Sequence, residues 1–171
     1  MFDQLFNNPL NFLFWLGALV IAITIHEFAH AYAAERLGDP TPRLMGRLTL
    51  NPLAHLDPLG TLMLLLVRFG WGKPVQFDPF NLRHPRRDSA IISLAGPASN
   101  ILLAIVCSVF LRLLITYHLS LITSVLVGLL SPLIIMNVVL AIFNLVPIHP
   151  LDGFKIVEGI LPEEYSRQWK E

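Results

Sequence analysis

Hydrophobic and polar positions in this chain fall in long blocks. Apolar residues run with few breaks from about Leu10 to Ala34, from Ala90 to Tyr117 and from Leu121 to Val146. Each block is as long as the roughly 20 residues a helix needs to cross the hydrocarbon core of a bilayer, and the third carries no charge. A fourth run, Leu59 to Phe69, is too short to span; Arg68 stands near its end and Gly70 and Gly72 follow, so it reads as a re-entrant or interfacial piece. The region from about Gly38 to Asp88 contains Pro40, Pro42, Pro52, Pro58, Pro74, Pro79 and Pro85, which exclude a long helix there. Within it Leu44 to Leu50 alternates in part and reads as a short strand, with an exposed edge on which an unwound polypeptide can pair. After the last span, Phe154, Ile156, Val157, Ile160 and Leu161 recur at the spacing of a short amphipathic helix at the membrane surface. The expected fold is an all-α membrane protein forming a single domain over residues 1–171. It has about three transmembrane helices, a re-entrant or short-strand region over about 38–88, and a C-terminal amphipathic helix.

Composition agrees: 54% of the 171 residues are hydrophobic and 14% are charged, against roughly 25% charged in a soluble domain. The formal net charge is zero, so nothing points to a nucleic-acid partner; the expected partners are the lipid bilayer and a transmembrane substrate. The single cysteine, Cys107, excludes an internal disulfide framework and a cysteine-rich metal site, and it reads as packing. The first apolar run lacks the basic flank and cleavage pattern of a signal peptide. Charge also orients the chain. Arg43, Arg47, Arg68, Lys73, Arg83, Arg86 and Arg87 lie between the first two spans, while the first nine residues and the turn from His118 to Ser120 carry no Lys or Arg. The positive-inside rule then places the long connection in the cytoplasm, the N-terminus outside and the C-terminus inside. The C-terminal ends of the first and third spans fall on one side.

The chemistry begins inside the first span, where His26-Glu27-Phe28-Ala29-His30 forms H-E-x-x-H. On a helix, positions four apart are separated by one turn, so both imidazoles face one metal ion. The glutamate lies on a nearby face, where it can take a proton from a water that zinc has made acidic. Polar residues on a solvated helix face are the bland alternative. Each ionisable residue near mid-membrane costs roughly 2.5–3.5 kcal/mol on insertion scales, which weighs against an idle role.

A catalytic zinc takes three protein ligands and keeps one open position. His55, His84, His118, His149 and the aspartates are the candidates for the third. His118 lies at the wrong end by the topology above, and His84 sits among arginines. Asp152 is the best placed, because it follows the third span on the side where the first span ends, and Pro147 and Pro150 unwind the backbone before it. Spacing alone does not separate this from a surface Asp-Gly turn. His149, three residues from Asp152, is the other residue that could approach the metal. Asn51, His55 and Asp57 read either as a loop fixed by side-chain caps or as a loop that folds back to the site. Asn100 reads as a helix–helix hydrogen-bonding residue beside small neighbours. Asn137 and Asn144 are seven apart, on nearly one helix face, which is expected to point at the cavity.

Four motifs in this order resemble the site-2 proteases of the M50 metalloprotease family, in a short form without PDZ or CBS domains. They are His26 to His30, Asn51 to Thr61, Ala95-Gly96-Pro97-Ala98-Ser99-Asn100, and Asn144 to Gly153. The resemblance covers nearly the whole chain. It implies one zinc ion bound by His26, His30 and Asp152, Glu27 as general acid/base, and Asn144 beside the site to hold the substrate carbonyl or backbone. It implies an intramembrane endopeptidase in a bacterial or archaeal cell membrane, with its site toward the cytoplasm. The chain departs from the pattern at His149, where the family often has proline. Relatives of this type often carry a further apolar span beyond this chain's last residue, so a truncated or shorter form is expected. A metal transporter or metal-binding membrane protein without hydrolytic activity would use the same ligands, but Glu27 would then be surplus. A serine protease built on Ser99 lacks the usual glycine-flanked nucleophile.

Overall fold

The structure is a computed structural model that describes residues 8–67, 71–117 and 120–169. Three long helices dominate it: α1 (Pro9–Leu37), α4 (Pro85–Thr116) and α5 (Ser120–Leu145). Each is long and apolar enough to cross a membrane, over Pro9–Leu37, Pro85–Thr116 and Val125–Leu145. They pack mutually as a three-helix bundle. The boundaries follow local chemistry. Asn8 caps α1 by accepting from the backbone N–H of Asn11 at 3.2 Å, and Pro9 supplies a preset first turn. Gly38 closes it in the left-handed region at φ 109°. The second span starts five residues earlier than hydropathy suggests, because Pro85 opens the helix and Asp88 Oδ2 accepts from the His84 backbone N–H at 2.9 Å.

The connection between the first two spans contains two short helices, α2 (Thr41–Leu44) and α3 (Pro58–Val67), and two 3-10 turns. The expected strand over Leu44 to Leu50 does not form. Pro42 nucleates α2 instead, Gly46 turns the chain at φ 69°, and the buried Arg47 side chain donates to the carbonyls of Ala54 and Lys73. A segment tied down through its side chain and turned at a glycine cannot stay extended. The fourth apolar run becomes α3. Asp57 caps it, its Oδ1 accepting from Gly60 N at 2.7 Å. Leu56 pairs with Gly72 in an antiparallel bridge, so the chain leaves toward α3 and returns at one place. Arg68 and Gly70 lie outside the described residues.

The return segment is anchored by Asp39 just beyond α1. This fully buried carboxylate accepts from Thr41 N (3.0 Å), Thr41 Oγ1 (2.6 Å), Asp78 N (2.7 Å) and Asn81 Nδ2 (2.8 Å). Burial alone would raise its pKa, but these donors outweigh burial and hold the acid below its ordinary value. Beyond α5 the expected amphipathic helix appears as α6 (Asp152–Ile160), followed by α7 (Glu163–Trp169), which hydropathy did not signal. α6 packs against α4 and α5, while Ile160 near its end stays exposed.

Candidate metal centre

His26 and His30 lie on one face of α1, both buried. α4 crosses that face at Gly96, where an added Cβ would collide with the Nε2 and Cε1 atoms of His30 and with His26. The small residue in the Ala95–Asn100 motif therefore allows two helix backbones to close over the imidazoles. The return of the chain after α5 brings in Asp152 at the start of α6. Its Oδ2 lies 3.1 Å from His26 Nε2 and 3.2 Å from His30 Nε2. Among the described residues these three form the group of His, Cys, Asp and Glu side chains that could hold a metal ion, with ligand atoms all within 4.8 Å.

Tautomers decide whether the group suits a cation. His30 Nδ1 is 2.7 Å from the Ile92 carbonyl. A carbonyl only accepts, so Nδ1 carries the proton and Nε2 presents a lone pair. His26 Nδ1 is 2.6 Å from Asn100 Oδ1. The other end of that amide, Nδ2, donates to the Ala22 carbonyl at 3.1 Å and to a second acceptor, Asn137 Oδ1, at 2.7 Å, and the two together turn the oxygen toward His26. Both Nε2 lone pairs therefore converge, 3.0 Å apart, on a carboxylate oxygen that is buried and has no hydrogen-bond donor. Three acceptors in contact repel unless a cation lies between them. A tetrahedral ion with bonds of roughly 2.0–2.1 Å holds its ligands about 3.3 Å apart, close to the separations here. The donor set fits zinc.

A cavity of about 720 Å³ opens beside this group. Its lining includes His26, Glu27, Asn144 and His149, with an otherwise largely apolar wall from Leu16, Ile23, Leu140 and Phe143. Glu27 is held at its edge, where Oε2 accepts from the Val75 backbone N–H at 2.9 Å. Asn144 lines the same cavity, and its Nδ2 donates to the Leu140 carbonyl at 2.9 Å. Asn137 does not face the cavity as expected. It is fully buried, and its Oδ1 accepts from Asn100 Nδ2 at 2.7 Å. Asn100 joins helices, as its small neighbours suggest, but it also grips His26. No sequence signal pairs it with that histidine, because the contact spans 74 positions.

The remaining candidates fall outside the cluster. His149 is exposed, with its ring edge-on to Phe154 at 5.6 Å. His55 is fully buried and close to Thr49, its Nε2 donating to the Thr49 carbonyl at 2.8 Å. Both readings of its loop hold in part. Asn51 Oδ1 caps Leu53 N at 3.1 Å, and the loop returns toward the site, since a Cβ at Gly72 would meet the His55 carbonyl and approach Glu27. His84 sits at the start of α4, and His118 lies outside the described residues. Ser99 Oγ donates to the Gly96 carbonyl at 2.7 Å. Cys107 is buried against Leu114 and Leu130, as expected of a packing residue.

The profile of Peptidase family M50 matches residues 113–170. A Bacillus subtilis (strain 168) protein named "Putative zinc metalloprotease YwhC" is 40% identical over 94% of this chain and 75% of that protein. "Putative zinc metalloprotease Rip2" of Mycobacterium tuberculosis is 32% identical over 91% of the chain and 60% of that protein. "Zinc metalloprotease MJ0392" of Methanocaldococcus jannaschii is 25% identical over 95% of the chain and 39% of that protein. No solved structure matches the chain. The chain belongs to peptidase family M50.

Proposed function

We propose that this protein is a zinc-dependent endopeptidase that cleaves a peptide bond in or near a transmembrane segment of another membrane protein. The observation that supports this most is the convergence of His26 Nε2, His30 Nε2 and Asp152 Oδ2 with no donor among them, next to a cavity that Glu27 also lines. These three residues would hold zinc and leave a fourth position open. When bound, zinc supplies Lewis-acid polarisation of the scissile carbonyl and lowers the pKa of water.

The chain's own residues supply the rest. Glu27 is the general base: it takes a proton from the attacking water and passes it to the departing amine nitrogen. The Val75 N–H holds one carboxylate oxygen and so fixes the direction from which the other reaches the proton. Asn144 has one amide hydrogen committed to Leu140, leaving its carbonyl oxygen and second hydrogen to hold substrate backbone. The apolar wall accepts the side chains of a membrane segment and limits water to what the reaction consumes. A helical segment hides its carbonyls in hydrogen bonds, so the substrate must unwind before it is cut.

The same reading puts the protein in a bacterial or archaeal cell membrane, with the metal end of the bundle toward the cytoplasm, following the seven Lys and Arg between the first two spans. The test is zinc analysis of purified protein with a cleavage assay on Glu27→Gln, which should keep full zinc and lose at least about 100-fold in cleavage. Asp152→Ala should lose both. Full zinc and activity in Asp152→Ala would overturn the assignment.

A further inference from the structure

His26 and His30 reach the same tautomer by different routes. His30 donates directly to a backbone carbonyl, that of Ile92. His26 donates to a side-chain amide, and an amide can rotate by 180° and present its NH₂ group instead. In that orientation Asn100 would donate to His26 Nδ1, the ring proton would move to Nε2, and the lone pair aimed at Asp152 and His30 would be lost. Something must therefore fix the direction of the amide.

The structure supplies two acceptors for the two hydrogens of Asn100 Nδ2. One is the Ala22 carbonyl on α1, at 3.1 Å, and the other is Asn137 Oδ1 on α5, at 2.7 Å. Asn137 could itself rotate, but its own Nδ2 donates to the Leu133 carbonyl at 2.8 Å. The series thus has one polarity. Leu133 accepts from Asn137, Asn137 accepts from Asn100, and Asn100 accepts from His26. Its far end is a carbonyl that cannot donate, so it cannot reverse without leaving a buried polar group unpaired. Asn100 and Asn137 are both fully buried, and water is not at hand to replace a lost partner.

We infer that Asn137, on the third span and out of contact with the metal centre, is a positioning residue that selects the metal-binding tautomer of His26 through Asn100. All three spans thereby contribute to the site: α1 carries the histidines, α4 the amide that His26 leans on, and α5 the group that fixes its direction. The inference rests on the proposed role of His26 as a zinc ligand, and the experiment separates the two.

The measurement uses full-length protein in detergent, selectively labelled with ¹⁵N-histidine, with the His26 signal assigned by its loss in His26→Gln. Wild type should show a single His26 tautomer protonated at Nδ1, and zinc affinity is read separately by chelator competition. Asn137→Leu keeps the volume but removes both hydrogen bonds. It should give a mixed His26 tautomer and about 10-fold weaker zinc binding, at the low end of what outer partners of metal ligands contribute. If it does not fold, Asn137→Ser serves, because a hydroxyl can satisfy Leu133 without reaching Asn100. Asn137→Asp, neutral at this buried position, can donate to Leu133 and accept from Asn100, and should restore both readouts. A lowered melting temperature with the His26 tautomer and zinc affinity unchanged within twofold would make Asn137 a packing residue only and overturn the inference. A wild type that binds no zinc but loses its single tautomer in Asn137→Leu would overturn the proposed function while supporting the relay.

Discussion

At one end of the bundle α4 and α5 meet through Cys107, Leu114 and Leu130, with Leu126 and Leu133 packed against them. At the other end the same two helices, with α1, enclose His26, His30, Asn100 and Asn137, all buried. Lipid tails are as apolar as leucine, so the first region gains little from excluding its surroundings and is held mainly by dispersion. Such contacts are individually small and tolerate exchange. The second region is held by directional hydrogen bonds of 2.6–3.1 Å, where displacing one atom unpairs another. The bundle is permissive where it only has to associate and exacting where it has to place lone pairs.

The contrast can be broken hardest at Gly96. Valine there would place side-chain atoms where the His30 and His26 rings now sit, so Gly96→Val should lose zinc and at least about 100-fold in cleavage. Gly128 makes the matching test in α5, away from the metal. A Cβ there meets only the Phe14 ring, at 3.1 Å, so Gly128→Ala should keep zinc and activity. Equal losses in the two variants, by metal analysis and cleavage assay, would erase the distinction between the ends.

A smaller effect is expected at Asp39, which sharpens the comparison by extending the exacting region into the connection. Asp39→Ala leaves the half-buried donors of Thr41 and Asp78 and the exposed Asn81 amide without their acceptor. Water can reach these donors in part, so the variant should lose stability at the low end of the roughly 1–3 kcal/mol of an unsatisfied buried group, about 1 kcal/mol, read as a fall in melting temperature. It should also slow cleavage, because the loosened segment carries the Val75 N–H that holds Glu27. The pH dependence has a fixed sign. The folded pKa of Asp39 lies below its unfolded value. Its stabilisation is therefore complete above the unfolded value of about 3.9 and disappears as pH falls toward the folded one. Wild type should lose more stability than Asp39→Ala on acidification below about pH 4.

The smallest effect belongs to the permissive end. Cys107→Ala removes one buried sulfur from the apolar cluster and should cost about 1 kcal/mol or less, with zinc content and cleavage unchanged. A loss of activity there, measured against a melting curve, would show the two ends to be coupled.

Much of this was legible in the sequence because it follows from local periodicity. Hydropathy located three spans, and the four-residue spacing of His26 and His30 placed both rings on one face whatever surrounded them. Asp152 could be singled out because its side of the membrane follows from span count and charge. The fold of the connection was less legible. The partial alternation from Leu44 to Leu50 suggested a strand, but Gly46 and the tether of Arg47 to Ala54 and Lys73 produced a turn. Such tethers depend on residues 7 and 26 positions away, which no window over the segment contains.

The sequence by itself determined which residue types make up the proposed metal site and on which helix its two histidines stand, because ligand chemistry and helical spacing are local properties. Only the tertiary structure decided the tautomers that the proposed ligands need. Each tautomer depends on what lies behind the ring. Ile92 behind His30 comes from a helix 62 positions further on. Asn100 behind His26, and Asn137 behind it, come from two different helices that meet only when the bundle packs. The seven-residue spacing of Asn137 and Asn144 puts both on one helix face and predicts that both point at the cavity. Packing turned Asn137 inward instead, because a fully buried amide on α4 still had a hydrogen to place.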